Sequence, residues 1–209
     1  MLAKMAWRNL WRNRRRTLIT LFGISFGAML AVIFTGLGDA SWSAMIDLAA
    51  RMGAGHVRVQ HADQLDTPSI KNRIDAVEAL RERALADPEV TAAVPRVTGN
   101  AMLATARDSA GVTFLAVDPR RESAKTFSLI EALDEGRWLE GPAENGVVLG
   151  VELAERLSVT LGKKVVYTLT DANGEIVSGL ARVRGVVRTG SSAADGGLVV
   201  LPIDTVREL

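Results

Sequence analysis

The sequence predicts an α+β protein: one N-terminal transmembrane helix with a stalk, followed by a mixed α/β periplasmic domain. Three observations support this fold class: an uncharged apolar run, a basic cluster directly before it, and short alternating segments after it. The 209 residues are 48% apolar and 23% charged, which is typical of folded protein. We expect a basic amphipathic cytoplasmic segment at 1–16, the transmembrane helix at 17–38, a stalk helix at 39–53 and the periplasmic core domain at 54–209.

Positive charge is concentrated at the N-terminus, although the formal net charge of the chain is only +1. Residues 1–16 contain no acidic residue and six basic ones: Lys4, Arg8, Arg12, Arg14, Arg15 and Arg16. Basic flanks of a membrane span stay on the cytoplasmic side. For a bacterial cell, the pattern therefore predicts an inner-membrane protein with its N-terminus in the cytoplasm and residues 39–209 in the periplasm.

The basic segment also has a helical pattern. Lys4, Arg8 and Arg12 recur at every fourth position, while Trp7 and Trp11 lie on another side of the same helix. An amphipathic helix of this kind lies in the headgroup layer, with its basic residues toward anionic lipid. We do not expect a nucleic-acid partner, because a basic run beside a membrane span usually sets topology.

The uncharged run from Thr17 to Gly38 contains 22 residues. As a helix it extends about 33 Å, which matches a hydrocarbon core of about 30 Å. A buried helix of a soluble domain rarely continues so far without a charge. A cleaved signal peptide is the main alternative, but its apolar region is only about 7–15 residues long. We therefore predict an uncleaved signal anchor.

Small residues form a stripe along this helix at intervals of four: Gly23, Gly27, Ala31 and Thr35. Such a stripe lets a second helix approach closely, so we predict that this face packs against another transmembrane helix.

The helical pattern continues beyond the span. The stalk positions Trp42, Met45, Ile46 and Ala49 follow the spacing of one helix face, and Gly53 and Gly55 end the pattern. A continuous helix from membrane to domain predicts a rigid mechanical connection.

The remaining residues predict short strands and helices. Strands are expected at His56–His61, Val90–Val97, Ala101–Ala106, Val112–Val117, Gly146–Gly150, Val165–Thr170, Ile176–Leu180, Arg182–Arg188 and Leu198–Leu201, and helices at Ile74–Ala86, Glu122–Leu133 and Val151–Leu157. Gly99-Asn100 and Asp108–Gly111 are expected as turns, and Asn173-Gly174 as a tight hairpin turn.

We expect no catalytic site, cofactor or metal. The chain has no cysteine and two histidines, which excludes disulfides, thiol catalysis and zinc-finger spacing. Gly162-Lys163-Lys164 lacks the upstream glycine and the hydroxyl residue of a phosphate-binding loop. Asp171-Ala172-Asn173-Gly174 lacks the remaining ligands of a calcium loop.

Several motifs together resemble the permease subunits of macrolide-export and lipoprotein-release ABC transporters. They are Trp7-Arg8-Asn9-Leu10-Trp11-Arg12-Asn13-Arg14-Arg15-Arg16-Thr17, Gly55-His56-Val57-Arg58-Val59, Gly136-Arg137-Trp138, Gly146-Val147-Val148-Leu149-Gly150, Leu161-Gly162-Lys163-Lys164-Val165 and Val183-Arg184-Gly185-Val186-Val187. The resemblance covers essentially the whole chain and is based on the order and spacing of these motifs.

The resemblance implies a non-catalytic transporter subunit. An ABC ATPase would hydrolyse ATP, and a second permease subunit would form a homodimer or heterodimer with this one. The periplasmic domains would relay motion across the membrane to extract or expel a substrate, with a lipoprotein or periplasmic protein as a further partner.

Permeases of this family have three further spans, whereas this sequence stops at Asp204-Thr205-Val206-Arg207-Glu208-Leu209. We therefore expect it to be the N-terminal part of a longer permease. A signal-anchored periplasmic binding or adaptor module is the alternative hypothesis to a permease, and a tethered periplasmic hydrolase is a third hypothesis.

Overall fold

The computed structural model describes residues 5, 7, 11–67, 72–171 and 173–208. The chain divides into two compact units, residues 1–48 and 49–209. The first contains most of one long helix, and the second contains seven strands with short helices. An N-terminal apolar helix followed by a mixed α/β domain is the fold class that the sequence predicts.

Helix α1 extends from Arg14 to Ala49, and none of its 36 residues is buried. The apolar helical segment Arg14–Gly53 is long enough to cross a membrane, and its most apolar window is 0% buried. A core helix of a soluble domain would bury one face, so the exposure of this helix favours contact with lipid or other helices.

The second unit contains a sheet and several short helices. Its strands are β1 (Arg96–Ala104), β2 (Ser109–Val117), β3 (Leu133–Gly136), β4 (Gly146–Gly150), β5 (Lys164–Thr170), β6 (Ile176–Val187) and β7 (Leu198–Pro202). Its α-helices are α2 (Val77–Leu85), α3 (Val151–Arg156), α4 (Ser192–Gly197) and α5 (Ile203–Arg207), with 3₁₀ turns at Ala62–Gln64 and Ser128–Ile130.

Strand β6 joins the two ends of the sheet. Its first part pairs antiparallel with β5, and from Arg182 onward it pairs parallel with β4. The circuit continues from β5 to β1, β2, β7 and back to β4. Six strands therefore form a closed hydrogen-bonded ring, and β3 adds to the last part of β6.

Strands β4 and β7 are buried on both faces, and so is β2 from Phe114 onward. Alternate residues such as Phe114, Leu149 and Leu201 enter the larger core, while Leu115 and Val148 enter a smaller one on the opposite face. A strand covered on both faces is apolar at consecutive positions. This explains the unbroken apolar runs Phe114–Val117, Gly146–Gly150 and Leu198–Leu201.

Several local predictions are wrong at the first strands. The expected strand Val90–Val97 is extended only from Arg96, where β1 begins, and Ser109–Gly111 of the expected turn lie within β2. Residues 56–61 form no strand in the described part of the chain, and the Val57 side chain is 84% exposed because no neighbouring strand covers it. Gly99-Asn100 is not a turn but lies within β1. A Cβ on Gly99 would lie 2.8 Å from Phe114, so the glycine makes room for a core aromatic ring on the neighbouring strand.

The helix expected at Glu122–Leu133 is also wrong, since only Ser128–Ile130 forms a 3₁₀ turn there. The Thr126 hydroxyl accepts a hydrogen bond from the backbone N–H of Ser123 at 2.9 Å. Such local side-chain bonds compete with the helical pattern. Phe127 is fully buried, which further fixes this segment as a loop.

The hairpin predicted at Asn173-Gly174 is confirmed between β5 and β6. Gly174 has a φ of 91°, in the left-handed region that favours glycine. The Asp171 carboxylate accepts hydrogen bonds from the N–H groups of Glu175 and Asn173, both at 2.8 Å. These bonds, that of Glu175 first, hold the pKa of Asp171 below its usual value, so the carboxylate is ionised near neutral pH.

Gly150 provides a test of close packing at the end of β4. An added Cβ would lie 2.6 Å from Cα of Asp195, and backbone cannot rotate aside as a flexible side chain can. We expect Gly150→Ala to lower the free energy of unfolding by about 1–3 kcal/mol, measured by thermal unfolding of the full chain in detergent.

Gly111→Ala is the matched control, because a Cβ there meets nothing within 4 Å. It should unfold at the wild-type temperature or slightly above it. Equal unfolding temperatures for the two variants would contradict the packing argument.

Candidate functional site

At the end of α1 the chain enters the second compact unit, residues 49–209, which we call the β-domain. After Ala49 the α-helix becomes a π-helical turn at Ala50–Ala54, inside which Gly53 has a non-helical φ of 128°. The N–H of Gly55 donates to the carbonyl of Ala50 at 2.8 Å and closes the turn. We call residues Ala50–Gly55 the helix-end anchor; all of them belong to the second compact unit.

The helix-end anchor is attached through polar and apolar contacts. Arg51 Nη1 donates to the carbonyl of Ala124 at 3.2 Å and to the Glu131 carboxylate at 3.1 Å. Ala50 is 7% exposed, and a Cβ built on Gly53 would lie 3.3 Å from the Leu115 side chain. Because Leu115 belongs to the smaller core, the anchor lies directly beside that core.

The loop that receives Arg51, residues 122–131, is itself fixed by a buried ion pair. The Arg96 guanidinium donates to both Glu122 oxygens, at 2.7 and 2.9 Å, and to the carbonyl of Thr126 at 2.9 Å. The two side chains are only 11% and 1% exposed. Arg96 Cζ also lies 4.8 Å from the centre of the Phe127 ring. A bidentate pair with these supports holds the receiving loop in one geometry.

A second charged cluster surrounds Glu144. Arg137 donates hydrogen bonds to this carboxylate, the N–H of Glu140 donates to it at 2.9 Å, and Arg184 Nε lies 3.0 Å away. Partial burial alone would raise the pKa of Glu144, but the Arg137 and Glu140 hydrogen bonds and the two guanidinium charges outweigh it and lower the pKa. Glu144 therefore stays ionised and joins the segment after β3 to β6.

The predicted small-residue stripe lies on α1, with Gly23, Gly27, Ala31 and Thr35 all exposed. Nothing within 4 Å would meet a Cβ at Gly23 or Gly27. The Thr35 hydroxyl donates to the carbonyl of Ala31 at 2.8 Å. Its donor is thus satisfied inside the helix, as an apolar surrounding requires. Helix packing by this stripe stays a prediction.

The predicted stalk residues Trp42, Met45, Ile46 and Ala49 also lie on α1 and are exposed. The first three are 60–67% exposed. Gly53 and Gly55 end the helical conformation as expected, with φ values of 128° and 73°.

The basic segment is described in part. Lys4 and Arg8 lie outside the described residues, whereas Arg12, Arg14, Arg15 and Arg16 are exposed. Trp7 and Trp11 pack edge to face at 6.1 Å, and Arg14 Cζ lies 5.8 Å from the Trp11 ring centre. Aromatic and guanidinium groups in this arrangement suit a membrane interface.

No group of His, Asp and Glu side chains suited to a metal occurs within the described ranges. The candidate site is the helix-end anchor, where Arg51 contacts the loop 122–131 that the ion pair of Arg96 and Glu122 holds.

A family model for the MacB-like periplasmic core domain matches residues 17–209. The chain belongs to the MacB-like periplasmic core domain family. It carries an ABC-transporter permease-like core domain of the MacB/LolC type, as the resemblance of its motifs predicts.

Two known proteins are similar to this chain. Over 199 residues the chain is 24% identical to the lipoprotein-releasing system transmembrane protein LolC of Neisseria meningitidis serogroup B, covering 92% of this chain and 46% of that protein. The chain thus spans about half the length of that curated relative. The extracellular domain of the noncanonic ABC-type transporter YknZ from Gram-positive bacteria is 14% identical, with a TM-score of 0.45, covering 63% of this chain and 65% of that one.

In this MacB-like domain the end of the helix is predictable from the sequence, whereas the residues that contact the helix-end anchor are not. Arg51 and Glu131 are 80 positions apart, and Arg96 and Glu122 are 26 apart. No periodicity links such distant charges. The sequence does contain one signal for this site: Gly53 and Gly55, which predict the end of the helix.

Arg51→Ala tests the helix-end anchor. The variant loses both polar contacts, and because Arg51 and Glu131 are 26% and 60% exposed, the ion pair itself contributes at most about 1 kcal/mol. We expect a total loss of about 1–2 kcal/mol and faster amide exchange at residues 50–55, measured by hydrogen exchange of the full chain in nanodiscs.

Glu131→Gln is the milder control, because it removes the charge but keeps an acceptor for Arg51. It should change the exchange less than Arg51→Ala does. Unchanged exchange at residues 50–55 in Arg51→Ala would show that these contacts do not hold the anchor.

Proposed function

We propose that these residues form the first membrane span and the periplasmic domain of an ABC-transporter permease that relays ATP-driven motion across the membrane. The proposal divides the chain into a cytoplasmic basic segment at 1–16, a span at 17–38, a stalk at 39–53 and a periplasmic domain from 54 onward. The relay would serve to extract a substrate from the outer leaflet or expel one from the periplasm.

The observation that carries this proposal is the continuous helix with a fixed end. Helix α1 contains 36 residues, about 54 Å at 1.5 Å per residue, and no residue inside it breaks the pattern. At its end the helix-end anchor contacts a loop that a buried ion pair stiffens. A displacement along such a helix would be transmitted to the domain at the helix-end anchor.

The proposal requires partners. An ABC ATPase would supply the energy, as the family of ABC-transporter permeases implies. A second permease subunit would pack on the stripe Gly23, Gly27, Ala31 and Thr35. Arg12 and Arg14–Arg16 would contact anionic lipid. The name of the relative, a lipoprotein-releasing system protein, makes a lipoprotein one candidate cargo.

Orientation can be measured directly, because the chain has no cysteine. We expect a single cysteine in Glu82→Cys to react with a membrane-impermeant maleimide in intact spheroplasts, since α2 belongs to the proposed periplasmic domain. A cysteine in Met5→Cys should react only after permeabilisation, because the basic flank keeps the N-terminus in the cytoplasm. The reverse pattern would overturn the topology.

Ala44→Pro tests the rigid connection. Proline in a helix interior costs about 3 kcal/mol and kinks the helix, while position 44 lies outside the proposed span and leaves insertion intact. In the transporter assembled with its ATPase, we expect ATP to change amide exchange at residues 50–55 in wild type and to have no effect there in Ala44→Pro.

Ala44→Leu is the control, because leucine keeps the helix and should retain the response. If Ala44→Pro responds to ATP as strongly as wild type, the helix is not the relay.

A further inference from the structure

Strand β6 has an unpaired edge along its first part. From Ile176 to Ala181 the strand pairs with β5 alone. Strand β4 joins its other side only from Arg182 onward, where the N–H of Arg182 donates to the carbonyl of Asn145 at 3.4 Å. Within the part of the chain that the structure describes, residues 176–181 therefore have a neighbouring strand on one side only. We call these residues the open edge.

The backbone groups at the open edge can be assigned from bonds at the two ends of the β5–β6 pair. The N–H of Asp171 donates to the carbonyl of Glu175 at 2.8 Å, and the N–H of Val183 donates to that of Lys163 at 2.9 Å. Bonded and non-bonded positions alternate along an antiparallel pair. The odd-numbered residues of β6 therefore bond to β5. The N–H and C=O groups of the even-numbered ones point to the open edge: Ile176, Ser178 and Leu180.

The open edge lacks the features that usually keep the edge of a sheet unpaired. It contains no charged residue and no proline, and the Ile176 side chain is 79% exposed. Lysine, proline and bulges are common at exposed edges because they prevent another strand from adding. The backbone of this edge is thus able to accept an extended chain from outside.

A cavity of about 340 Å³ adjoins the open edge. It is lined by residues that precede β4, belong to β5 and β6, or lie at α5: Ala143, Asn145, Tyr167, Leu180, Thr205 and Glu208. Among these six, Glu208 is the charged one. No basic side chain lies within ion-pair distance of Glu208 in the described ranges of the chain. A group that enters the cavity therefore meets one uncompensated negative charge among neutral polar groups.

Tyr167 supplies the second polar group of this cavity. Its side chain is 5% exposed and lies across Gly179, where an added Cβ would be 2.7 Å from Cε2 of the ring. The Tyr167 hydroxyl has no hydrogen-bond partner among the described residues. Burial, and after it the negative charge of Glu208, raises the pKa of Tyr167, so its hydroxyl stays neutral. The hydroxyl oxygen is therefore available to accept a hydrogen bond beside the Glu208 carboxylate.

We propose that the open edge binds an extended segment of a partner polypeptide, one lysine or arginine side chain of which enters the cavity. The backbone of the segment pairs with the even-numbered residues of the open edge. Its basic side chain donates to the Glu208 carboxylate and to the Tyr167 hydroxyl. In such strand addition the main-chain bonds provide affinity, and a pocket for a side chain provides specificity. A free amine or a lipid headgroup fills the cavity alone and leaves the edge unpaired, so the edge favours a polypeptide.

The test uses the full chain in phosphatidylcholine nanodiscs and two synthetic peptides. One is acetylated and amidated Thr-Val-Thr-Lys-Thr-Val-Thr, and the other carries glutamate in place of lysine. We expect the lysine peptide to slow amide exchange at Ile176, Ser178 and Leu180, whose N–H groups point to the open edge. Exchange at Val177 and Gly179 should not change, because their N–H groups already bond to β5. The glutamate peptide should bind about tenfold more weakly.

Two protein variants test the cavity separately from the edge. Tyr167→Phe keeps the ring across Gly179 but removes the hydroxyl, and Glu208→Gln removes the charge. Each should weaken binding of the lysine peptide about fivefold, and Glu208→Gln should also remove most of the difference between the two peptides. Glu155→Gln on α3 changes an exposed carboxylate that does not line the cavity, and it should bind both peptides as wild type does.

A change in the peptide tests the edge without any effect on folding of the protein. Methylation of alternate backbone nitrogens blocks pairing along one side of an extended peptide and leaves the other side intact. Of the two alternating sets of methyl groups, one should abolish binding of the lysine peptide and the other should preserve it. Equal binding of the two methylated peptides would overturn the proposal, as would equal binding of the lysine and glutamate peptides.

Two further outcomes would also overturn it. Slow exchange at Ile176, Ser178 and Leu180 before any peptide is added would show that this chain or a second copy already covers the open edge. Ethanolamine that weakens lysine-peptide binding to the same extent as unlabelled lysine peptide would show a site for free or lipid-borne amines. Peptide binding needs neither ATP nor an ATPase, so its failure is distinguishable from failure of the relay through the helix-end anchor.

Discussion

The β-domain depends on one constraint: β4, β7 and the second half of β2 must be covered on both faces. Consecutive apolar residues such as Val147, Val148 and Leu149 point alternately to two cores, so neither face of these strands can face water. Closure of the ring by β6 encloses the larger core. The smaller core needs its own cover, which Phe127, Leu129 and Leu139 provide. The loop that receives Arg51 is thus fixed by the same burial that holds the sheet together.

The burial of this loop against the smaller core determines where the end of a helix can be held firmly. Ion pairs between exposed side chains contribute little, and Arg51 with Glu131 is such a pair. The buried pair of Arg96 and Glu122 differs, because its removal on one side would leave a charge without a partner inside the protein. Rigidity in this region therefore comes from the receiving loop. The contact between Arg51 and this loop is weaker than the ion pair of Arg96 and Glu122.

Local signals in the sequence predicted the parts of the fold that local chemistry decides. The Asn173-Gly174 hairpin, the strand Gly146–Gly150 and the end of the helix at Gly53 each depend on neighbouring residues, and each is found where it was expected. Gly99-Asn100 has the composition of a turn, yet it lies within β1, because Phe114 on the adjacent strand requires a residue without a side chain. The Arg51 and Glu131 contact joins positions 80 apart, and only the folded sheet brings them together.

The same distinction applies to the outer surface of strands β5 and β6. That surface was present in the sequence as alternation in Val165–Thr170 and Ile176–Leu180, but alternation alone does not show which positions stay uncovered. Closure of the ring decides it, because Val165 and Leu169 enter the core while Val166 and Thr168 are left outside. A surface of this kind costs solubility in an isolated domain.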